Sequence, residues 1–319
     1  MLWILALAKA RSAAPISAAI SAQRATKASA NINATVAGAR QKGSWRRRSV
    51  VTAHCGDVPP SLLAIRPSAS TRDPLQYFNS LLMKFAVIQF PGSNCDQDCL
   101  RAINGLDGLS AEYVWHKETT LTGFDAIVLP GGFAYGDYLR CGAIARFSPI
   151  MNEVVRAAKE GQIILGTCNG FQVLCEAGLL PGALVRNRGL RFVCDMVNLR
   201  IEVADSAFTH DCTQGAILRM PIAHGEGCYF ADPETLRELN GNCQVMMRYC
   251  DATGAITPES NPNGSIENIA GICNRDGNIF GLMPHPDRAS DVRLGSEDGA
   301  KIFISMAKTV LAGRARAAA

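Results

Sequence analysis

An α/β fold, with an open, mostly parallel sheet carrying helices on both faces and a β-rich C-terminal half, follows from three features of the sequence. Between residues 83 and 177 short apolar runs alternate with amphipathic segments. Parallel strands need crossover connections, and these place helices on the sheet faces. Gly131-Gly132 and the motif Gly166-x-Cys168-x-Gly170 come directly after apolar runs. They therefore fall at carboxyl ends of strands, where such sheets collect their ligands. From about Leu184 onward, longer β-rich runs separated by turn signals take over.

In chain order, residues 84–90 form a strand-like run stopped by Pro91-Gly92, and Ser93 or Asn94 is placed to cap a helix over roughly 96–104. Residues 112–115 and 126–129 are the next strands, the latter ended by Pro130-Gly131-Gly132. Helical segments around 143–147 and 149–160 lead to a strand at 162–165 and then to the cysteine motif. In the second half, 192–203, 217–222, 245–249 and 279–283 are strands, and a helix over roughly 297–311 closes the fold.

Residues 1–82 have a different composition, rich in Ala, Ser and Arg, with eleven Lys/Arg against two acids, Asp57 and Asp73. The formal +4 of the whole chain hides this asymmetry, because the remaining 21 basic and 26 acidic residues give −5. A mildly acidic globular part carries no nucleic-acid footprint. The N-terminal composition is that of an organelle transit peptide. Two rivals are a secretory signal, with the apolar run Leu2–Ala8 but no charged start, and an upstream extension preceding a start at Met83. The expected organisation is thus 1–82 as a leader and 83–319 as one domain. Its compartment is a plastid or mitochondrion if the leader is genuine, and the cytoplasm otherwise. No run is long enough to span a bilayer. Twelve cysteines are scattered without paired CxxC units, so neither a zinc site nor a disulfide framework is expected, and Cys95 and Cys99 are read as ordinary thiols.

Gly166-Thr167-Cys168-Asn169-Gly170 has the form of a nucleophile elbow with sulfur in place of oxygen. Small neighbours let the nucleophile occupy strained backbone, and the helix N-terminus that follows favours an anionic sulfur. The bland alternative is a buried structural cysteine. A nucleophile of this kind needs a base, and four histidines fall within the domain. His116 stands at a strand end as a surface position, and His210 lies in a polar loop without evident role. His224 sits in the glycine-rich Ala223-His224-Gly225-Glu226-Gly227. His285 follows a buried strand, between two prolines, with Asp287 two residues on and on the same side of an extended segment.

These stretches resemble the class I, triad glutamine amidotransferases. Within them PGGFAYGDYLRCGAIA (130–145), GTCNGFQ (166–172), PIAHGEG (221–227) and GLMPHPDR (281–288) are similar to the glutaminase subunits of phosphoribosylformylglycinamidine synthase. The resemblance covers 83–311 and does not extend to the N-terminal segment. It implies Cys168 as nucleophile, His285 as general base and Asp287 as third member, where the family usually has glutamate. The shorter carboxylate must approach more closely or leave a weaker contact. It also implies substrate contacts from Gly131, Gly132, Phe133, Asn169 and Gln172, with Gly132 or Phe133 joining the Asn169 N–H in an oxyanion hole. The loop carrying His224 and Glu226 is assigned to the partner or to the pocket wall, against a plain glycine-rich turn. The implied substrate is glutamine and the implied partner a synthetase subunit, together with a small accessory subunit. No cofactor or metal is expected in this chain, and ATP and Mg are expected on the synthetase. Two rival functions share the fold. One is a different hydrolase or stress protein, which typically has histidine directly after the cysteine, where Asn169 stands here. The other is a non-catalytic scaffold that binds the synthetase.

Overall fold

A computed structural model of the protein describes residues 82–317, so the leader assigned to 1–82 lies, but for its last residue, outside the described residues. The first half alternates as its sequence pattern requires: β1 (Met83–Gln89), α1 (Asp96–Asn104), β2 (Leu109–Trp115), β3 (Ala126–Leu129), α2 (Ile150–Lys159), β4 (Ile163–Thr167) and α3 (Asn169–Glu176). The second half is mostly strand: β5 (Ala183–Val185), β6 (Val193–Ile201), β7 (Ile217–His224) and β8 (Cys228–Phe230). After α4 (Pro233–Gly241) come β9 (Val245–Cys250), β10 (Ile269–Cys273) and β11 (Ile279–Leu282), and α5 (Ala300–Ala317) ends the described chain.

Nine strands form one sheet in the order β2-β1-β3-β4-β11-β10-β9-β6-β7, and β5 and β8 make a separate antiparallel pair. The first five are parallel to one another, and β10, β9, β6 and β7 extend the sheet antiparallel. Alternation along each strand feeds two cores. Ala86, Ile88, Ile127 and Leu129 face α2, α3 and α4, while Phe85, Val87, Ala126 and Val128 face α1 and α5. Strands β3, β4 and β11 are buried along their whole length, which explains their largely apolar sequences, broken only by Thr167 at the end of β4.

Some local expectations change. Helix α1 is capped by neither Ser93 nor Asn94, because Cys95 takes the N-cap position without a side-chain bond. The Ser93 hydroxyl instead closes the preceding turn, accepting from the Phe90 N–H at 3.1 Å and donating to the Phe90 carbonyl at 2.9 Å. Helix α5 starts at Ala300, not 297. The Gly299 N–H is drawn away to the Ala289 carbonyl (2.7 Å), and residues 297–300 form a turn. The short strands β5 and β8, helix α4 and strand β10 have no counterpart in the sequence reading. Helix α4 was legible, since Asp232 caps it by accepting from Glu234 and Thr235 N–H and Pro233 opens it.

Candidate active site

One residue separates β4 from α3. That residue, Cys168, has φ 49° and ψ −106°, a conformation side-chain-bearing residues rarely adopt. The motif glycines make the turn possible. A Cβ on Gly170 would stand 2.0 Å from the Leu129 carbonyl oxygen, and one on Gly166 would stand 2.5 Å from Leu174 Cδ1. Helix α3 therefore lies directly against β3 and β4, and the sulfur is carried out over the sheet end, 3.8 Å from the Ala223 carbonyl oxygen.

Strand β11 lies beside β4 in parallel register, Leu282 opposite Thr167. The Cys168 N–H donates to the Leu282 carbonyl at 2.8 Å, and three residues further His285 is fixed by its N–H donating to Pro221 at 2.9 Å. Sheet register thus brings together two side chains far apart in sequence. Both the imidazole and the Asp287 carboxylate are buried. His285 Nδ1 stands 3.6 Å from Asp287 Oδ1, too far for a hydrogen bond. Neither ring nitrogen and neither carboxylate oxygen has a hydrogen-bond partner among the described residues. Burial pushes the His285 pKa down, but negative charge on Cys168 and then Asp287 outweighs it and holds the ring well above the ordinary histidine value. The site therefore favours the protonated form of the ring.

Gly131 touches all of this. Its missing Cβ would lie 2.7 Å from His285 Cε1, 3.0 Å from Cys95 Sγ and 3.3 Å from Cys168 Cβ. Cys95, read as an ordinary thiol, is therefore packed beside the imidazole, and Arg288 Nη2 donates to its sulfur at 3.0 Å. Of the two candidate oxyanion donors in this loop, the Phe133 N–H already bonds the Gly92 carbonyl at 3.1 Å, while the N–H groups of Gly132 and Asn169 bond no described group.

A pocket of about 180 Å³ opens over the sulfur, with Gly132, Phe133, Gln172, His224 and Glu226 among its walls. The side chains of Asn169 and Gln172, assigned to substrate, are engaged within the protein. Asn169 Oδ1 accepts from the Ala134 N–H (3.2 Å) and its Nδ2 donates to Gln172 Oε1 (2.9 Å). Gln172 Nε2 then donates to the Glu226 carbonyl (2.6 Å). The two amides hold the 133–137 and 223–227 loops against α3, which gives the pocket its walls.

The 223–227 loop lines the pocket and is more than a plain turn. His224 is buried, with Nδ1 3.2 Å from Asn187 Oδ1. Asn187 also accepts from the Gly227 N–H at 3.0 Å and donates to the His224 carbonyl at 2.9 Å, and Asn263 donates to the Gly227 carbonyl at 2.8 Å. Sequence reasoning passed over Asn187, which stands between two arginines in no recognisable motif. His116, read as a surface position, is buried with Nδ1 2.8 Å from the Tyr135 hydroxyl, and His210 is exposed.

Burial, and then the charge on His285, push the His224 pKa down to about 4 from its ordinary 6.5. The unfolded chain binds the extra proton first, so His224 costs stability as pH falls from about 6.5 to 4, by about 3 kcal/mol in all. His285, raised, acts oppositely: its contribution is complete below pH 6.5 and is lost as pH rises through its folded value. Denaturant midpoints measured across pH 4–7 are expected to slope less steeply in His224→Gln than in the wild type.

An elbow of this form, served by a histidine from the neighbouring parallel strand, is the architecture of a thiol-dependent amidotransferase. Residues 83–297 match the family model of the CobB/CobQ-like glutamine amidotransferase domain. A relative from Acaryochloris marina, named phosphoribosylformylglycinamidine synthase subunit PurQ, is 56% identical over 230 residues, covering 72% of this chain and 98% of its own. A PurQ from Gloeobacter violaceus is 58% identical over 230 residues, covering 72% and 99%. Among solved structures, PurLQS from Thermotoga maritima superposes with a TM-score of 0.64 at 41% identity, covering 72% of this chain and 99% of the other. The chain belongs to the glutamine amidotransferases, in the family of the PurQ subunits. No described helix is long and apolar enough to cross a membrane.

Proposed function

We propose that this chain is the glutaminase subunit of phosphoribosylformylglycinamidine synthase. It hydrolyses glutamine and delivers the ammonia to a synthetase partner, which aminates formylglycinamide ribonucleotide in purine biosynthesis. The observation that carries this reading is the strained Cys168 at the floor of a small pocket, with His285 supplied from the next strand.

The Cys168 sulfur attacks the side-chain amide carbon of glutamine. Gly132 and Asn169 N–H groups, unspent among the described residues, receive the developing oxyanion. His285 protonates the departing nitrogen, which leaves as ammonia. It then takes a proton from the water that hydrolyses the γ-glutamyl thioester to glutamate. Glu226 and Asp137 at the pocket wall give it an acidic side suited to the substrate's ammonium group. The sequence has no Gly-x-x-x-x-Gly-Lys-[Ser/Thr] loop, and ATP and Mg are assigned to the synthetase. Residues 1–82 are assigned to a transit peptide directing the chain to a plastid or mitochondrion. Mass spectrometry of the N-terminus of protein from native extract tests that assignment, and an intact residue 1 on a cytoplasmic protein would refute it.

A scaffold that has lost catalysis is favoured by one observation, the 3.6 Å gap between His285 and Asp287. The two readings separate in an assay of glutamine hydrolysis with the synthetase present, where the scaffold gives none. In the catalytic reading the carboxylate assists rather than determines the chemistry. Asp287→Ala is expected to lower kcat by about ten-fold, and Asp287→Glu, which closes the gap, to raise it by about three-fold.

A further inference from the structure

The Asp287 side of the imidazole holds an unusual group of donors. Cys95 Sγ, one ring nitrogen of His285 and one carboxylate oxygen of Asp287 all lie within 4.8 Å of one another, and all three residues are buried. Nδ1 is the nitrogen turned toward Asp287, at 3.6 Å. That distance fails as a hydrogen bond but suits two ligands of one ion. A tetrahedral zinc with N and O ligands at about 2.0–2.1 Å and S at about 2.3 Å separates its ligand atoms by about 3.3–3.6 Å. The histidine and the aspartate leave every side-chain polar atom without a partner among the described residues, an arrangement that is costly unless something else satisfies them.

We propose that Cys95, His285 and Asp287 form a binding site for a divalent cation of the zinc type, and that occupancy of this site switches glutamine hydrolysis off. The donor set of one sulfur, one nitrogen and one oxygen selects a borderline ion over Mg or Ca. Charge also balances. The ion's two positive charges and the Arg288 guanidinium stand against the Cys95 thiolate, Asp287 and Asp98, the last held by Arg288 at 3.0 Å. Arg288 Nη2 stands 3.0 Å from Cys95 Sγ, but burial outweighs it and keeps the metal-free Cys95 a thiol. A cleft of about 480 Å³ has Asp98, Asp287 and Asp291 among its walls and approaches the site from the Asp287 side, while the carboxylate itself is fully buried.

Binding transfers two protons to solvent, one from the Cys95 thiol and one from Nδ1 of the imidazolium, and leaves a neutral imidazole coordinated through Nδ1. The ring's one remaining proton then sits on Nε2. With Nε2 already protonated and Nδ1 held by the ion, His285 can take up no further proton, so it can neither accept the proton of Cys168 nor activate the water that hydrolyses the thioester. The longer glutamate at position 287 would reach Nδ1 itself and fill the space the ion needs.

The inhibitory consequence rests on the glutaminase reading, whereas the site itself does not, so two measurements on the full chain keep them apart. The first is titration with cobalt(II) alone, followed by absorption. Wild type and Cys168→Ser are expected to show tetrahedral cobalt bands with a thiolate-to-cobalt charge-transfer band. Cys95→Ser, with its fold checked by circular dichroism, is expected to lose the charge-transfer band, and Asp287→Asn to bind about ten-fold or more weakly. A charge-transfer band that disappears in Cys168→Ser, binding unchanged in both Cys95→Ser and Asp287→Asn, or no tetrahedral spectrum at all would overturn the site. The second is glutamine hydrolysis in the presence of zinc, each variant referred to its own metal-free rate. Inhibition reversed by chelator, needing about ten-fold or more zinc in Cys95→Ser, supports the switch. Full activity with the cobalt site occupied overturns the switch and leaves the site standing.

Discussion

Cys168→Ala is expected to abolish glutamine hydrolysis, with a loss of at least about 10⁴-fold in kcat, while circular dichroism and the thermal midpoint stay close to wild type. The sulfur's only described hydrogen-bond acceptor is the Ala223 carbonyl at 3.8 Å, a weak contact whose removal costs the fold little. The strained backbone at this position belongs to the turn, and alanine occupies it with the same Cβ. The loss is therefore chemical, because no other group is positioned to attack the amide carbon. Cys168→Ser should fail almost as completely, since an alcohol is a far weaker nucleophile than a cysteine sulfur at neutral pH. Steady-state ammonia release with the synthetase present reads the effect, and turnover within ten-fold of wild type in Cys168→Ala would remove the mechanism.

The second large effect is on the fold itself. Gly170→Ala is expected to destabilise the protein by more than about 3 kcal/mol, and to lose activity even where it remains folded. The added Cβ would stand 2.0 Å from the Leu129 carbonyl oxygen and 2.6 Å from its carbon. Those atoms are backbone at the centre of the sheet and cannot swing aside as a side-chain tip would. Relief requires α3 to lift from β3, which moves Cys168 and the Asn169 N–H together. Gly189→Ala is the matched control, with no heavy atom within 4 Å of its Cβ and an expected change within about 0.5 kcal/mol. Denaturant midpoints of the three proteins decide the matter.

The parallel half of the fold was readable because its residues report their surroundings unambiguously. Ala126–Leu129 is buried at every position, so its sequence is uniformly apolar, and Gly131-Gly132 marks where the strand must stop. The elbow was readable for a steric reason: only glycine fits at 166 and 170. The contacts that organise the pocket left less trace. Asn187 matters because it meets three partners on a distant loop, and an asparagine in an arginine-rich turn announces none of them. Cys95 looked ordinary because its neighbours, His285 and Arg288, arrive from the other end of the chain. Which of the Gly132 and Phe133 N–H groups is free depends on the bond Phe133 makes to Gly92, and local sequence does not encode that. Gln172 was assigned to substrate from its place in the motif, whereas its amide is satisfied by Asn169 and Glu226.

Strand β11 sits in the middle of the sheet, between β4 and β10, although it is the last strand to be synthesised. A nascent polypeptide that has emerged only as far as α4 therefore presents β4 as an open edge and carries its sulfur without an acid–base partner. A nascent chain at that stage lacks His285, and the catalytic pair is completed only when the final strand takes its place beside β4. A protein that makes a diffusible, toxic product gains from this order of assembly, since truncated or prematurely terminated chains cannot consume glutamine to no purpose.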